Sequence, residues 1–145
     1  EVACYEHPAT PAEARFSLKY VIATALAHGS VRLAAFEPPR LADPLTRALM
    51  ERIELEVDPA LDAAFPAQRA ARVAIQTQDG RRGEHLQPAR KGDPELPLDD
   101  RELEEKYFEL ASPVIGQEKA RALVARLWAL ERVADVSDLV SSELW

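Results

Sequence analysis

The chain has 145 residues, of which 47% are hydrophobic and 30% charged, as is typical of one soluble globular domain with or without a helical appendage. Its formal net charge of −7 argues against non-specific nucleic-acid binding, because such binding depends on neutralising phosphates with Lys and Arg. The sequence contains no apolar run of about 18 residues, so we expect no membrane-spanning helix and no membrane partner.

The amino-terminal residues and the single cysteine indicate the compartment. The first ten residues, EVACYEHPAT, have neither the basic region nor the long apolar region of a signal peptide. Cys4 cannot form an internal disulfide, which is typical of a reducing compartment. As a nucleophile paired with a distant histidine, Cys4 would need an activating context that the sequence does not show. We therefore expect a cytoplasmic protein.

The first predicted helix has two possible starts. Thr10-Pro11-Ala12-Glu13 fits a capping box with proline at the first helical position, and Ser17 is a second possible cap. The run YVIATALA at 20–27 carries no charge, which predicts a helix that is buried nearly all round. His28 suits the negative end of a helix, and Gly29 suits a left-handed helix end.

Residues 31–53 contain one ambiguous segment and one predicted helix. The segment VRLAAFEPPR, 31–40, fits either a short strand or a helical turn, and its two prolines should stop either one. Asp43 and Pro44 are typical of a helix start, and this helix is predicted to end near Ile53. Its modest apolar stripe is formed by Leu45, Ala48, Leu49 and Arg52.

Segments between residues 53 and 87 indicate a small sheet. IELEV at 53–57 alternates apolar and acidic residues, as a half-buried strand does. After a predicted loop over 58–70, ARVAIQTQ at 71–78 alternates again. Asp79-Gly80 followed by RRGEHLQ then predicts a hairpin and a returning strand. We expect an α+β fold, with a small, mostly antiparallel sheet and helices packed on it, followed by C-terminal helices.

The stretch PARKGDPELPLDD at 88–100 is a long connection with three prolines, and it marks the only clear composition boundary. We therefore predict two parts, an α+β domain over 1–98 and a helical segment over 99–145.

The helical segment contains clear start and stop signals. Asp99 and Glu102 fit a capping box, Pro113 should break the first helix, and Gly116 should restart it. The restarted helix has an amphipathic stripe formed by Ala120, Leu123, Val124, Leu127 and Leu130. A last short helix is expected from Ser137 to Leu144.

Motifs of common catalytic and metal sites are not found in the sequence. Its five glycines form no phosphate-binding loop. The three histidines, His7, His28 and His85, have no metal-binding spacing, and a single cysteine makes a structural zinc site improbable. We therefore assign no metal ligand and leave the catalytic residues unknown.

Three charged stretches have a simple interpretation and an alternative. The acidic run DDRELEEKYFEL at 99–110 is typical of a solvated helix face, with a catalytic carboxylate cluster as the alternative. The basic pairs Arg81-Arg82 and Arg90-Lys91 are typical of a hairpin edge and a loop, with an anion contact as the alternative.

Three stretches, in order, resemble the C-terminal part of the MmgE/PrpD family, which includes 2-methylcitrate dehydratase, cis-aconitate decarboxylase and iminodisuccinate epimerase. The first is EARFSLKYVIATALAHGSVRLAAF, similar to the family pattern A-x-F-S-L-x-Y-x-x-A-x-A-L-x-x-G. The second is VAIQTQDGRR, a strand and turn. The third is KGDPELPLDDRELEEKYFELA, where Tyr107 stands in place of the usual phenylalanine. Together they span nearly the whole chain.

The resemblance implies that the chain is part of a larger enzyme. Family members are about three times longer, and a large helical domain precedes this region. The smaller α+β part acts as a lid, the active site lies between the two, and the final helices pack against the helical domain. The resemblance further implies small polycarboxylate substrates, dehydratase, lyase or epimerase chemistry and no metal or organic cofactor. We also expect a homo-oligomer, and an isolated fragment that is inactive.

Carried onto this chain, the resemblance points to the polar start of the helix near residue 17. Ser17 and Tyr20 match the family motif and are candidates for substrate-proximal positions, with Arg15 as a third. Fixed cationic and hydroxyl donors suit carboxylates, which bind best through charge-assisted hydrogen bonds. The alternative is that Ser17 only caps the helix and Tyr20 only packs. His7, in the junction loop, is a further candidate, and the alternative is that it is an ordinary surface histidine.

A second class of function also fits the sequence. A non-catalytic interaction module would bury the apolar stripe of residues 120–130 against a partner or against another copy of the chain.

Overall fold

The computed structural model describes residues 5–139 and shows an α+β chain. Its helices and strands are α1 (Pro11–Arg15), α2 (Leu18–His28), α3 (Pro38–Leu41), α4 (Pro44–Met50), α5 (Pro59–Ala64), β1 (Ala71–Gln76), β2 (Arg82–Gln87), α6 (Asp100–Ile115) and α7 (Gln117–Leu127). Three short 3₁₀ helices span Leu33–Phe36, Leu130–Arg132 and Val136–Leu139. The chain divides into two compact units, one ending at Asp62 and the other beginning at Ala63. The predicted α+β class is confirmed.

Both predicted helix starts, at Thr10 and at Ser17, are present, and each begins a separate helix. The Thr10 hydroxyl accepts the Glu13 N–H at 3.3 Å and begins α1, and the Ser17 hydroxyl accepts the Tyr20 N–H at 3.3 Å and begins α2. The Glu13 carboxylate accepts the N–H of Ala9, whereas in a regular capping box it would accept the N–H of Thr10 itself. Gly29 ends α2 with φ of 76°, the left-handed end that the sequence predicted.

The first unit has a small core between α1, α2, α3 and α4. Its members are Ala14, Tyr20, Ala23, Leu41 and Met50, with Phe36, Leu49 and Ile53 partly buried against them. Helix α2 is buried on one face only, since Leu26 is 50% exposed. The prediction that α2 is buried nearly all round was therefore wrong, because in this unit the other helices cover a single side of it.

Helix α4 presents a different face from the predicted one. Thr46 and Met50 are buried, whereas Leu45 is 54% exposed. The Asp43 carboxylate caps the helix by accepting the Thr46 N–H at 2.9 Å and the Thr46 hydroxyl at 2.6 Å. Because these bonds satisfy the Thr46 hydroxyl, a polar residue can be buried where the apolar pattern alone favoured Leu45.

Residues 31–41 are helical over most of their length. The 3₁₀ helix Leu33–Phe36 agrees with the helical alternative for this segment. This 3₁₀ helix ends at Phe36, just before the two prolines, as predicted. Pro38 then begins α3, because a proline in the first turn lacks only an N–H that would have had no partner there.

The predicted strand at 53–57 and the loop after it are corrected by the structure. Residues 53–58 are neither helix nor strand, and Leu55 and Val57 are 48% and 79% exposed. Alternation predicts a strand only where another strand offers hydrogen bonds, and in the described part of the chain β1 pairs with β2 alone. The segment predicted as loop contains α5, where Pro59 takes the first position and Asp58 accepts the Ala60 N–H at 2.9 Å.

The predicted hairpin is confirmed. Strands β1 and β2 pair antiparallel from Ala71 opposite Gln87 to Gln76 opposite Arg82. Gly80 adopts φ of 86° in the intervening turn. Both strands are exposed along nearly their whole length.

The helical segment begins as predicted and continues further. Asp99 accepts the Glu102 N–H at 2.7 Å while Glu102 accepts the Asp99 N–H at 2.9 Å, which confirms the capping box. Pro113 does not break α6, since it lies in the last turn, where one lost hydrogen bond is tolerated, and α6 ends at Gly116. Helix α7 follows at once and buries Ala120 and Leu123.

Helices α6 and α7 are joined by polar side chains as well as by packing. The Tyr107 hydroxyl donates to the Ala120 carbonyl at 3.0 Å, and the Trp128 indole donates to the Glu104 carboxylate at 2.6 Å. Leu127 and Leu130, predicted in the apolar stripe, are 41% and 45% exposed. The predicted last helix is seen as the 3₁₀ helix Val136–Leu139, and its remainder lies outside the described residues. No helix within 5–139 has the length and hydropathy needed to cross a membrane.

Candidate functional site

The sequence placed its candidate site at the polar start of α2, and Ser17 serves there as the helix cap. Its side chain is almost fully buried and accepts the Tyr20 N–H. This bond satisfies one of the N–H groups that a helix start leaves without a partner.

Tyr20 is completely buried at the same end of α2. Its hydroxyl donates a hydrogen bond to the carbonyl of Ala35, in the 3₁₀ helix that follows α2. Its ring lies 6.3 Å, centroid to centroid, from the ring of Phe36 at an angle of 43°. Tyr20 thus fastens the segment 33–36 to α2 through one polar contact and one aromatic contact.

Arg15 also contacts Phe36, and it is the exposed member of the three candidates. Its guanidinium carbon lies 5.4 Å from the centre of the Phe36 ring. Among residues 5–139 no hydrogen bond or ion pair to the Arg15 side chain is found. The neighbouring Lys19 ammonium lies 3.8 Å from the Glu6 carboxylate. The structure thus brings Arg15 and Tyr20 onto the same phenylalanine. Of the three candidates Arg15 alone is exposed, and within residues 5–139 its N–H donors have no acceptor.

The sequence did not predict a polar cluster at the other end of α2, in which His28 meets residues of α3 and α4. The His28 Nε2 lies 3.3 Å from the Asp43 carboxylate, and the Arg40 guanidinium lies 2.8 Å from His28 Nδ1. The two hydrogen bonds from Thr46 are the main cause that lowers the pKa of Asp43 below its usual value. The Asp43-Pro44 helix start was visible in the sequence, but its contact with His28 depends on how α2 and α4 pack.

The second unit has an open cleft of about 560 Å³ next to the hairpin. Arg69 lines it with its guanidinium 5.4 Å from the centre of the Phe65 ring. Arg90 also lines it and binds both oxygens of Asp93, at 3.0 and 2.8 Å, which raises the pKa of Arg90 and lowers the pKa of Asp93. Two arginines, Arg69 and Arg90, and two carboxylates, Asp93 and Glu95, line the cleft, so it has no excess of either charge.

Three of the four basic residues singled out in the sequence, Arg81, Arg90 and Lys91, contact acidic partners within the chain. Arg81 binds the Asp79 carboxylate at 2.8 Å, and Lys91 binds the Glu102 carboxylate at 2.8 Å. Together with the Arg90–Asp93 pair, these contacts agree with the interpretation as a hairpin edge and a loop.

The remaining candidates are dispersed. His7 is exposed and lies 3.6 Å from Glu51, His85 lies 3.3 Å from Gln87, and Cys4 is outside the described residues. Within residues 5–139 no group of three or more His, Cys, Asp or Glu side chains is arranged to hold a metal ion.

These features define a class of protein. It is an α+β protein in which most buried polar groups form hydrogen bonds that stabilise helix ends and turns, and in which the Arg15 guanidinium is exposed at the end of α1. Comparison with known proteins makes the assignment specific. The family model for the MmgE/PrpD C-terminal domain matches residues 1–130. The chain therefore belongs to the MmgE/PrpD family, as the sequence motifs predicted.

Individual relatives agree with the family match. The chain is 31% identical to the cis-aconitate decarboxylase-like protein oryM of Aspergillus oryzae over 94% of its own length and 28% of that protein's. It is 26% identical to human cis-aconitate decarboxylase over 92% of its own length and 28% of the relative's, and 26% identical to the mouse enzyme. The chain thus spans less than a third of the length of the curated relatives it matches.

Proposed function

We propose that this chain is the lid part of an MmgE/PrpD-type enzyme that acts on small polycarboxylates by lyase, dehydratase or epimerase chemistry. The observation that carries the proposal is the match to the family's C-terminal domain over residues 1–130. Relatives named as cis-aconitate decarboxylases make a tricarboxylate with a double bond the first substrate to test.

In this proposal the lid binds and encloses the substrate but does not carry the acid and base. Family membership supports this division, because the relatives contain more than twice as much further sequence. No catalytic residue is assigned to this chain, and no metal or organic cofactor is required by the proposal. The lid excludes water and orients the carboxylates for proton transfer by groups outside it. An isolated chain is then expected to be inactive.

The polar start of α2 is the proposed substrate-proximal region. Arg15 is exposed and offers N–H donors with the fork geometry that suits a carboxylate. Ser17 and Tyr20 shape this end of the helix, since their hydroxyls bind backbone groups. The family motif that contains both residues supports their assignment to the substrate side of the lid.

The proposed organisation of the whole protein follows the composition boundary. Residues 1–98 form the lid, and residues 99–145 pack on a helical domain. We further propose a cytoplasmic, homo-oligomeric enzyme, with neither nucleic acid nor membrane among its partners. The absence of a large basic excess and of a membrane-crossing helix in 5–139 is compatible with this.

A replacement experiment tests the proposal. Residues 1–130 would replace the matching C-terminal segment of human cis-aconitate decarboxylase, and carbon dioxide release from cis-aconitate would be measured. We expect the hybrid to recover activity that the human enzyme loses on removal of that segment, and the purified 145-residue chain to show none. Turnover by the chain alone would contradict a lid role, as would a folded hybrid no more active than the truncated enzyme.

A non-catalytic interaction module remains the alternative, and exposed apolar side chains favour it. Leu127, Trp128 and Leu130 are between 41% and 49% exposed at the end of α7 and just after it. The coding sequence upstream of Glu1 separates the two proposals. A preceding helical domain of the family supports the enzyme, whereas a start codon directly before Glu1 supports the module.

A further inference from the structure

We propose that Phe36 is the positioning residue that holds the Arg15 guanidinium ready for a substrate carboxylate. This inference rests on the proposed function for the class of ligand, and on the geometry of the described residues for the role of Phe36. Neither the sequence motifs nor the relatives assign a role to Phe36.

Phe36 is itself held firmly. It ends the 3₁₀ helix Leu33–Phe36, in which the Ala35 N–H donates to the Arg32 carbonyl at 3.0 Å. The Tyr20 hydroxyl donates to the carbonyl of Ala35, the residue directly before Phe36. The Phe36 ring packs on the buried core of the first unit while remaining only partly buried. The ring thus contacts the core and, being only partly buried, keeps some surface that an exposed residue can contact.

Arg15 uses that available ring. Its guanidinium carbon lies 5.4 Å from the ring centre, within the range of a cation–π contact. No acceptor for the Arg15 N–H donors is found among residues 5–139, so these donors remain able to bind both oxygens of a carboxylate. Without the ring, the long side chain of an exposed arginine would lose more rotamer freedom when it binds a ligand, which weakens binding.

The buried Tyr20 acts in the same arrangement through the backbone. Its hydroxyl bonds the carbonyl of Ala35 and does not point to a ligand, so Tyr20 positions Phe36, and Phe36 positions Arg15. This order explains how a buried tyrosine in the family motif can matter at a site where its own hydroxyl is already bonded.

The second unit provides a matched control. Arg69 and Phe65 form the same kind of contact, also at 5.4 Å. The charge of Arg69 helps to lower the pKa of Asp93, which lies with it in the cleft of the second unit. An anion approaching Arg69 therefore meets a carboxylate that is already there, whereas no carboxylate bonded to Arg15 is found among residues 5–139.

The test is NMR of the 145-residue chain with citrate and cis-aconitate as probes. The chemical shifts of the Arg15 side chain contain a ring-current contribution from Phe36, which reports the contact with the ring. Their change during titration with citrate or cis-aconitate reports binding of the ligand. In Phe36→Leu we expect the ring-current shift of Arg15 to disappear and citrate binding at Arg15 to weaken about two- to five-fold. Phe36→Tyr should restore both, and Phe65→Leu should change neither.

Further variants exclude a general loss of structure. In Arg15→Gln, citrate should no longer perturb this region, and adding Phe36→Leu should then have no further effect on citrate binding. If Phe36→Leu loses the ring-current shift while citrate binding at Arg15 is unchanged, the inference is wrong. It is equally wrong if neither acid perturbs Arg15 in the unchanged chain, or if Phe36→Tyr fails to restore binding with its fold intact.

The outcome is separate from that of the replacement experiment. An inactive hybrid would contradict the proposed enzyme while leaving citrate binding at Arg15 and its dependence on Phe36 measurable in the chain itself. An active hybrid with no response at Arg15 would contradict only the positioning role of Phe36.

Discussion

At the scale of single residues, three buried hydroxyls, those of Ser17, Tyr20 and Thr46, hold helix ends and a turn in place, whereas the buried Thr24 hydroxyl has no hydrogen-bond partner among residues 5–139. Ser17 caps α2, Tyr20 binds the carbonyl of Ala35, and Thr46 binds the Asp43 carboxylate that caps α4. Burying a hydroxyl is unfavourable unless it is hydrogen-bonded, so each of these bonds offsets a desolvation cost and at the same time sets the position of a turn. Two of the three candidate residues, Ser17 and Tyr20, therefore use their hydroxyls to hold the fold.

Asp43 provides a test at this scale. Hydrogen bonds from Thr46 lower its pKa, so its carboxylate stabilises the fold fully above the usual pKa of aspartate, and that contribution is lost as the pH falls through the lowered value. Thr46→Val removes one of the bonds. We expect the pKa of Asp43 to rise towards its usual value, and the variant to be less stable than the wild type near pH 7, with the difference shrinking in acid.

NMR titration of the Asp43 carboxyl and urea unfolding at several pH values would measure both effects. Thr77→Val is the matched control, because a hydrogen bond from Thr77 lowers the pKa of Asp79 in the hairpin turn. That variant should shift Asp79 and leave Asp43 unchanged. An unchanged pKa of Asp43 in Thr46→Val would contradict the hydrogen bond from Thr46 as the cause of the lowered pKa.

At the scale of elements, local start and stop signals decided most boundaries. The caps at Ser17, Asp43 and Asp99, and the ends at Gly29 and Gly116, all lie where side-chain chemistry or backbone freedom predicts them. Helix α6 depends strongly on such signals, because none of its residues is buried. A helix without a buried face relies on its caps and on packing at its edges for stability.

The capping box of α6 is therefore a sensitive position. We expect Asp99→Ala to destabilise the helix by about 1 kcal/mol, because the Glu102 N–H loses its acceptor. Hydrogen exchange of the amides in the first turn should become faster, and helical circular dichroism should decrease. Asp135→Ala, which removes a similar bond to the Ser137 N–H, should leave exchange in α6 unaltered. Equal exchange in Asp99→Ala and the wild type would contradict the role of the cap.

At the scale of the whole molecule, the chain leaves much surface exposed. Among residues 5–139 many large apolar side chains are exposed, and several of them lie in or just after α7. Apolar surface of this extent favours association.

We expect the isolated chain to self-associate through the apolar stripe of α7. Sedimentation at high concentration should show species larger than a monomer, and Leu127→Glu should reduce them by placing a charge in the stripe. Leu55→Glu is the matched control, because Leu55 has a similar exposure of 48%, against 41% for Leu127, but lies outside the stripe. A compact monomer at all concentrations, or equal effects of the two variants, would contradict this prediction.

Sequence patterns failed where pairing or packing had to be known. IELEV alternates like a strand but has no strand beside it in the described residues, and the predicted loop after it forms α5. Leu45 belongs to an apolar stripe but is exposed, because the bonded Thr46 takes the buried side of α4. Alternation and periodicity indicate which residues could share a face of a strand or helix. They do not show which other segment, if any, packs on that face.

The candidate site, like the fold, could be predicted from the sequence only in part. Arg15, Ser17 and Tyr20 could be selected from the family motif and from helix-start chemistry, but the motif could not show which polar atoms remain available. That depends on Ala35 and Phe36, which are 15 or more residues away from Tyr20 along the chain. The His28–Asp43 contact was missed for the same reason, since it joins residues 15 positions apart.

The sequence by itself determined the family, through three motifs that occur in order along the chain. It also determined the α+β class, the hairpin and most helix ends, because these depend on the chemistry of residues within a few positions of one another. Only the tertiary structure decided which face of each helix is covered, that the segment at 53–57 has no strand partner within 5–139, and that the Tyr20 hydroxyl is bonded while Arg15 stays exposed. Burial and long-range hydrogen bonds depend on which segments lie next to one another in space. Those contacts result from packing between elements that are far apart in the sequence.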